Sequence, residues 1–423
     1  MRWISTVRAR RSWTLIGVLL LASATLVACG SSGTSAAPGG SSGTGITGGK
    51  SALNVTSIVD VSSPSGNSLA YGVIASAAKA TVEYFNGHGG FGGRRINLTV
   101  CDSQNDPNVT ATCARNAVQD KAVAVVGSYA QNADQILPIL EAAQIPYIPS
   151  YPQYPSELSS SVSFPINSGP LLYFGMAYVA GKVCKSPSLA LIQLPQDSYY
   201  VNIVNKGLAL SGKTLHSTTE LPANVTDYSP YVSRMTSGSD CVIMITTALQ
   251  SKVLYPEMAQ SGVKTRIIGY YGNSLGGAIN AIAPAVTDNG IDVSYFLPYS
   301  NPSWDQYKLI VKDYGNPSEY SYAIAGAQLA YLNFVAFRNV LTSLQSHGGA
   351  ITSKTILTAL QTSTLVADGG LMPAVNFTKP WQLVPSFSRL FNRSVTFAKV
   401  VNGVDEPLSG YPQFVDLGAD YAK

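Results

Sequence analysis

Histidine is scarce in this chain, with three residues among 423. His88 lies inside a glycine-rich stretch, His347 directly precedes two glycines, and His216 falls in a predicted strand. A Ser/His/Asp triad needs a well-positioned imidazole base, and none of these positions is suited to supply one. The zinc-binding patterns HExxH and CxxC are absent as well. We therefore expect no catalytic residue, no metal site and no cofactor, and an enzyme is the least favoured class of function.

The chain also lacks an excess of charge once its N-terminus is set aside. It contains 27 Lys+Arg and 23 Asp+Glu. The only charged residues among the first 28 are Arg2, Arg8, Arg10 and Arg11, so 27 minus 4 leaves 23 basic residues against 23 acidic ones. A neutral remainder carries no basic footprint for nucleic acid. No short-period repeat is present either, which excludes a solenoid.

The N-terminus has the order of a secretory signal, with arginines followed by an apolar run over residues 15–28. That run is too short for an ordinary transmembrane span, and it ends in Leu26 Val27 Ala28 Cys29 Gly30. This ending resembles the lipobox of bacterial lipoproteins, which implies removal of residues 1–28 and a lipid on Cys29. The alternatives are an ordinary signal with a chance cysteine, or an uncleaved anchor.

Residues 31–50 contain almost only Ser, Gly, Thr and Ala, and no aromatic side chain. Such a segment cannot bury enough surface to offset its ordering entropy. We interpret residues 29–50 as a lipidated cysteine followed by a flexible tether with an average span of about 25 Å. The predicted location is therefore extracytoplasmic, with the lipid bilayer as a partner through Cys29.

Beyond residue 50 the sequence alternates between short β-branched runs and longer amphipathic ones, typical of α/β folds. A first series of strands and helices covers residues 53–149, and a second covers 171–295. Long helices at 304–314, 321–344 and 353–361 then precede a strand-rich tail over 375–404. With roughly 370 residues after the tether, the length favours two domains, and we expect two doubly wound, Rossmann-like halves.

A glycine-rich stretch over residues 85–94 formally matches the dinucleotide motif GxGxxG, but its context is reversed. The motif needs a strand before the glycines and a helix after them, whereas here a predicted helix precedes and a predicted strand follows. The stretch, with the following Asp102, Asp106 and Pro107, resembles the type I periplasmic binding proteins, specifically the leucine/isoleucine/valine-binding group. Further similar segments are the strands at 123–127 and 146–149 and the sequence Asp227 Tyr228 Ser229 Pro230 Tyr231.

The resemblance implies two α/β lobes that are joined by three crossovers and close on a ligand between them. On that template the N-terminal lobe comprises residues 52–166 and 301–367, and the C-terminal lobe comprises 167–300 and 368–423. Four cysteines remain besides Cys29, and an even number in an exported chain indicates disulfides. Three pairings are possible; the implied fold favours Cys101–Cys113 and Cys184–Cys241, with free buried thiols as the alternative.

The same resemblance implies where a ligand binds. Loops that follow parallel strands gather at one edge of the sheet, near helix N-termini. The corresponding residues here lie at or after the ends of five of the predicted strands. They are Ser63, Tyr129, Ala130, Gln131, Tyr151, Gln153, Tyr199 and Tyr271.

One departure from the family bears on the ligand. The family's acidic partner for a ligand ammonium is replaced by Tyr270 Tyr271 Gly272 Asn273, which argues against an α-amino acid because an unpaired buried ammonium is costly. The tyrosines instead suit an aromatic or polar ligand, although in a chain with 24 tyrosines some of them belong to the core or the surface. We therefore predict a solute-binding lipoprotein that delivers a small ligand to ABC permease subunits; a ligand-sensing receptor is the alternative.

Overall fold

The computed structural model describes residues 51–64, 71–193, 197–223, 225–365 and 370–423. The predicted signal, Cys29 and the tether lie outside these residues, as does the predicted start of the first helix at Leu69. Fourteen strands are assigned within these described ranges. They are β1 Leu53–Val59, β2 Ile96–Asp102, β3 Ala124–Ser128, β4 Tyr147–Pro149, β5 Pro187–Ile192, β6 Thr218–Leu221, β7 Cys241–Ile245, β8 Arg266–Tyr270, β9 Ile291–Ser294, β10 Thr364–Leu365, β11 Val375–Asn376, β12 Ser394–Val401, β13 Val404–Pro407 and β14 Val415–Asp416.

Twelve α-helices accompany the strands in the described part of the chain. They are α1 Gly72–Gly87, α2 Pro107–Gln119, α3 Leu137–Ala143, α4 Leu171–Val183, α5 Asp197–Ala209, α6 Ser229–Thr236, α7 Ala248–Gln260, α8 Pro284–Thr287, α9 Asp305–Tyr314, α10 Ala325–Ser346, α11 Ser353–Gln361 and α12 Gly418–Tyr421. Among the described residues, no helix is both long and apolar enough to cross a membrane.

The first sheet is parallel, with the strand order β2-β1-β3-β4. Every residue of β3 is buried, as expected for a strand covered by helices on both faces. Helix α10 comes late in the chain yet packs on β3 and α1, so the chain returns to this sheet after building the second one. This return agrees with the predicted two-lobed fold.

The second sheet has the order β13-β12-β9-β8-β7-β5-β6, and β14 pairs with β12 at its edge. Strands β5 to β9 are parallel, whereas β12 runs antiparallel to β9, β13 and β14. Two α/β lobes are therefore present, and each has its own largely parallel sheet.

The glycine-rich stretch is a helix end and turn, as its sequence context predicts. Helix α1 ends at Gly87 and β2 begins at Ile96, and Gly92 adopts a φ of 56°. A Cβ on Gly92 would lie 2.6 Å from the carbonyl oxygen of Leu341 in α10. Glycine is required there both for the backbone conformation and for the close approach of α10.

The apolar pattern of residues 133–144 predicts a single helix, and this prediction is wrong in one respect. The structure has a short 3₁₀ turn, Ala133–Gln135, and then the separate helix α3. Pro138 lies in the first turn of α3 and has no N–H to donate back to the preceding turn. The missing hydrogen bond at Pro138 therefore separates the 3₁₀ turn from α3, where the sequence pattern predicts one continuous helix.

Both predicted disulfides are present. Cys101 at the end of β2 bonds Cys113 in α2, with 5.7 Å between Cα atoms. Cys184 follows α4 and bonds Cys241, the first residue of β7, with 5.8 Å between Cα atoms. The first bond ties a strand to the next helix, and the second ties the end of α4 to the second sheet.

Candidate ligand-binding cleft

Asp60 organises the loops at the carboxyl end of the first sheet. It follows β1 directly and is fully buried. Its Oδ1 accepts hydrogen bonds from the Ser103 hydroxyl (2.6 Å) and the Asn105 backbone N–H (3.0 Å), and its Oδ2 accepts from the Gln131 N–H (2.8 Å). Burial raises the pKa of Asp60 above its usual value, although these three donors lower it. One carboxyl group thus fixes the loops after β2 and β3 against each other.

The side chain of Gln131 links two of the predicted ligand loops. Its amide Nε2 donates to the Tyr129 hydroxyl at 3.1 Å, and its Oε1 accepts from the Tyr154 hydroxyl at 3.0 Å. Ala130, between Tyr129 and Gln131, is 2% exposed. Gln131 and Ala130 therefore hold the loop in shape, and Tyr129 is the residue of this loop that reaches the cleft.

Glu157 plays a similar part for the loop after β4. It is 1% exposed, and it accepts hydrogen bonds from the Tyr147 hydroxyl (2.9 Å) and from the backbone N–H groups of Gln153 (2.9 Å) and Tyr154 (3.2 Å). Burial raises the pKa of Glu157 to about 7, against the opposing effect of these donors. The group therefore titrates near neutral pH.

This pKa predicts a pH-dependent stability. The pKa of Glu157 in the unfolded chain is near 4.5 and in the folded protein about 7, so between these values the folded state holds a proton that the unfolded state releases. The contribution of Glu157 to stability is complete below pH 4.5 and falls as the pH rises toward 7, by about 3 kcal/mol at most. Glu157→Gln cannot titrate and keeps an acceptor oxygen, so we expect the variant to lack this fall.

Urea unfolding of wild type and Glu157→Gln between pH 4 and 8 measures the difference. Other buried carboxyl groups titrate equally in both proteins, so the contribution of Glu157 is the difference between the two free energies of unfolding at each pH. Parallel curves across this range would contradict the prediction.

A cluster of tyrosines lies where the two lobes meet. Tyr129 contacts Tyr71 and Tyr151, with ring centroids 4.6 and 5.5 Å apart, and Tyr173 contacts Tyr270 at 5.7 Å. They surround a cavity of about 40 Å³, which we call the tyrosine cavity. Its lining is Tyr71, Val73, Ile74, Tyr129, Tyr151, Tyr173, Tyr270, Asn273, Ile324 and Gly326.

The cavity is closed by a contact between the lobes. Asn273, after β8 of the second sheet, donates from Nδ2 to the hydroxyl of Tyr151, after β4 of the first sheet, at 3.2 Å. An adjoining cavity of about 100 Å³ shares Tyr71, Val73, Asn273 and Ile324 and adds Glu319. Both lobes therefore contribute polar groups to a single cleft.

The chemistry of the tyrosine cavity is that of neutral phenols. Burial raises the pKa of Tyr71 to about 12 and raises the pKa values of Tyr129 and Tyr151 well above 10. These hydroxyl groups stay protonated at neutral pH and can both donate and accept hydrogen bonds. No charged side chain is among the described residues that line this cavity.

Tyr270 and Tyr271 are adjacent in sequence, yet they reach different places. Successive side chains of a strand point to opposite faces. Tyr270 lines the tyrosine cavity and donates to the Thr246 carbonyl at 2.8 Å. Tyr271 packs on Phe296, with centroids 5.6 Å apart, and its hydroxyl accepts from the Tyr299 N–H at 3.2 Å. Tyr271, which the sequence predicts to contact the ligand, therefore does not line the tyrosine cavity, whereas its neighbour Tyr270 does.

Three further predicted residues lie around the cavity rather than on its wall. Tyr199 contacts Tyr200 at 5.6 Å, and Tyr200 in turn contacts Tyr173; the Tyr199 hydroxyl is buried without a hydrogen-bond partner among the described residues. Gln153 is 3% exposed and bonds Glu157 through its backbone. Ser63 is partly exposed, and its hydroxyl accepts from the Asn105 amide at 3.5 Å.

The sequence interpretation missed two tyrosines of the cavity wall, Tyr71 and Tyr173. Tyr71 precedes α1, and its N–H donates to the Asp60 carbonyl at 2.7 Å. Tyr173 lies in α4, within the run of buried apolar residues at its start. Ligand residues were expected close behind the ends of strands, whereas Tyr71 falls inside the first helix predicted from Leu69 and is the N-cap of α1, and Tyr173 lies within α4.

The strand-end loops of both α/β lobes and the first turns of α1, α4 and α10 line one aromatic cleft, an arrangement suited to holding a small ligand between two lobes. The chain belongs to the periplasmic binding protein family: the family model described as "Periplasmic binding protein" matches residues 53–403. This membership confirms the resemblance predicted from the sequence.

Solved structures with the same fold support the assignment. One is a solute-binding protein of an ABC transporter from R. palustris in complex with benzoate, with 15% identity over 85% of this chain and 96% of that chain and a TM-score of 0.67. Another is the branched-chain amino acid transporter substrate-binding protein of Streptococcus pneumoniae with isoleucine, with 17% identity over 85% of this chain and 99% of that one and a TM-score of 0.64. A fatty acid ABC transporter substrate-binding protein from Thermomonospora curvata has 17% identity over 88% and 94%, with a TM-score of 0.67. Comparison with curated protein sequences gave no match.

Proposed function

We propose that this protein is an extracytoplasmic, lipid-anchored component of an ABC importer that captures a small polar or aromatic ligand between its lobes. The observation that carries the proposal is the tyrosine cavity, to which both lobes contribute side chains. Similar structures come from ABC transporters, and two of them are complexes with benzoate and with isoleucine. The mature chain delivers its ligand to permease subunits in the membrane.

Ligand capture requires the lobes to separate. The tyrosine cavity measures about 40 Å³, close to the volume of one water molecule at about 30 Å³. Cavities that hold small ligands span about 300–1,000 Å³. A ligand therefore enters when the Asn273–Tyr151 contact opens, and it takes the place of that contact when the lobes close again.

The cavity wall favours an aromatic acid, an amide or another polar ligand over an α-amino acid. Phenol rings stack on flat ligands, and their hydroxyl groups bond acceptors. Glu319, whose pKa burial raises, lines the adjoining cavity and not the tyrosine cavity. An α-ammonium group beside the tyrosines would lose its water without gaining a carboxylate.

Tyr151→Ala is expected to weaken ligand binding by about 5- to 150-fold, since the loss of an aromatic contact costs about 1–3 kcal/mol. The ligand comes first from a thermal-shift screen of residues 51–423 against amino acids, aromatic acids, amides and sugars. Titration calorimetry then compares Tyr151→Ala with Tyr271→Phe, which alters a tyrosine away from the cavity. Tight binding of an α-amino acid that Tyr151→Ala leaves unchanged would contradict this assignment.

Cys29→Ala tests the lipid anchor separately. We expect wild type to partition into the detergent phase and to accumulate as a larger precursor when cells are treated with globomycin. Cys29→Ala should show neither behaviour, whereas Ser31→Ala should match wild type. Unchanged processing and membrane retention of Cys29→Ala would refute the anchor and leave the ligand cleft untouched.

A further inference from the structure

A second cavity of about 410 Å³ lies at the edge of the second sheet, and we call it the edge cavity. It shares no lining residue with the tyrosine cavity. Its walls are the segment after β9, the strand β12, the end of β13 and the loop that follows. They comprise Leu297, Pro298, Ser300, Asn301, Thr396, Phe397, Ala398, Asp405, Pro407, Leu408, Tyr411, Pro412 and Gln413. Its volume falls within the range of small-ligand sites.

One wall of the edge cavity carries the carboxyl group of Asp405, and Asp292 is close to it in the sheet but is not among the lining residues. Asp405 is held in place because its Oδ1 accepts from the Asn280 amide (2.8 Å) and its Oδ2 from the Gly277 N–H (3.3 Å). Asp292 pairs across the sheet with Ala398, which lines the cavity, so both side chains lie on one face. Asp292 is 2% exposed, and its Oδ1 has no hydrogen-bond partner among the described residues.

These two carboxyl groups lack a counter-charge. No lysine, arginine or histidine of the described residues lies within 4.0 Å of the carboxylate of either Asp292 or Asp405. Burial raises both pKa values, and the charge of Asp405 raises that of Asp292 further. Asp405, which lines the cavity with no cationic side chain within 4.0 Å of its carboxylate among the described residues, can therefore pair with a cation that binds there.

The opposite wall is aromatic and apolar. The rings of Phe397 and Tyr411 lie 4.8 Å apart, and Leu297, Pro407 and Pro412 extend this surface. The Nζ of Lys182 lies 5.4 Å from the centroid of the Tyr411 ring, so this wall offers apolar contact to the carbon part of a ligand and not a place for a second positive charge. The described residues contain no cluster of three or more metal-ligating side chains, so the wall composition fits an organic cation and not a metal ion.

We propose that the edge cavity is a second binding site, which takes an organic ammonium compound whose charged group lies against Asp405 and whose apolar part lies against Phe397 and Tyr411. The segment 297–301, which forms part of its wall, leads from β9 to α9, and α9 packs on α1 of the first lobe. The occupant therefore contacts a connection between the lobes. The proposal stands on the edge cavity and is independent of the ligand in the cleft.

Titration of the protein with 2-phenylethylammonium and its uncharged counterpart 2-phenylethanol tests the site. We expect the ammonium compound to bind at least tenfold more tightly than the alcohol. Asp405→Asn, which preserves the shape of the side chain, should remove that difference. Tyr151→Ala, in the tyrosine cavity, should leave the affinity for 2-phenylethylammonium unchanged.

A second pair of variants keeps the test decisive if Asp405→Asn fails to fold. Tyr411→Ala should weaken the binding of 2-phenylethylammonium several-fold, whereas Tyr411→Phe, which retains the ring, should bind as wild type does. Absence of binding to wild type would overturn the proposal. The proposal would also be overturned if neither Asp405→Asn nor Tyr411→Ala changed the affinity for 2-phenylethylammonium. It would be overturned as well if Tyr151→Ala abolished the binding, since the probe would then occupy the cleft.

Discussion

Gly272→Ala is expected to weaken ligand binding by about 5- to 150-fold, because a methyl group at this position opposes the approach of the lobes. Gly272 follows β8 in the second lobe. A Cβ there would lie 2.5 Å from the Cα of Ile324 and 2.6 Å from the backbone nitrogen of Ala325, at the start of α10 in the first lobe. Backbone atoms cannot move aside as a flexible side chain can, so the overlap costs about 1–3 kcal/mol, and only when the lobes are together.

The conformation of Gly272 adds a separate cost that must be subtracted. Its φ is +73°, a region that alanine adopts with strain whether the lobes are open or closed. Gly262, after α7 in the same lobe, has a φ of +66°, and a Cβ on it would meet no atom within 4 Å. Gly262→Ala therefore carries the backbone strain without the overlap and is the matched control.

Titration calorimetry with the ligand from the screen, together with the radius of gyration from small-angle scattering, checks this prediction. We expect Gly272→Ala to have the weaker affinity and the larger radius, and Gly262→Ala to match wild type in both. Equal affinities of the two variants would show that the contact of Gly272 with α10 does not form in the ligand-bound protein.

The double variant Cys184→Ser, Cys241→Ser is expected to lose about 4 kcal/mol of stability, the chain-entropy value for a loop of this size. The two cysteines are 57 residues apart in sequence. Their bond joins the end of α4 to the first residue of β7, where Cys241 pairs with Pro187 of β5. Asp240 ties the same point by accepting hydrogen bonds from the Lys185 and Ser186 N–H groups, both at 2.8 Å.

The first-lobe disulfide supplies the comparison. Cys101 and Cys113 are 12 residues apart, so their replacement by serine should cost less, about 3 kcal/mol. Urea unfolding with separate probes for each lobe measures both losses, and alkylation with mass counting verifies the thiol state. Four free thiols in the native wild-type protein, or a larger loss from the Cys101–Cys113 pair, would contradict the prediction.

Most elements of the fold could be predicted from the sequence because their signals are local. Helices α4 and α11 have the predicted bounds, and most other elements lie within a few residues of theirs. The apolar period predicts a helix over residues 253–261, whereas α7 begins five residues earlier, at Ala248, because Thr247 and Gln250 form a reciprocal capping box. That pair is visible in the sequence, whereas the apolar period begins later in the helix.

The disulfide partners are also largely a sequence property of this fold. Once the order of strands and helices is assigned, Cys101 and Cys113 lie on consecutive elements, and Cys184 and Cys241 lie beside the ends of two strands of one lobe. Each pair is then close enough to bond, as the Cα separations of 5.7 and 5.8 Å show.

The sequence by itself thus determined the two α/β lobes, the disulfides and the family, because propensity, periodicity and motif spacing act over short stretches of chain. Only the tertiary structure decided which tyrosines meet. Tyr71, Tyr151 and Tyr270 come from segments far apart in sequence, and the packing of the two lobes brings them together. The strand before Tyr271 is buried on both faces after its first residue, so no alternation of polar and apolar residues marks which of the two adjacent tyrosines faces the cleft.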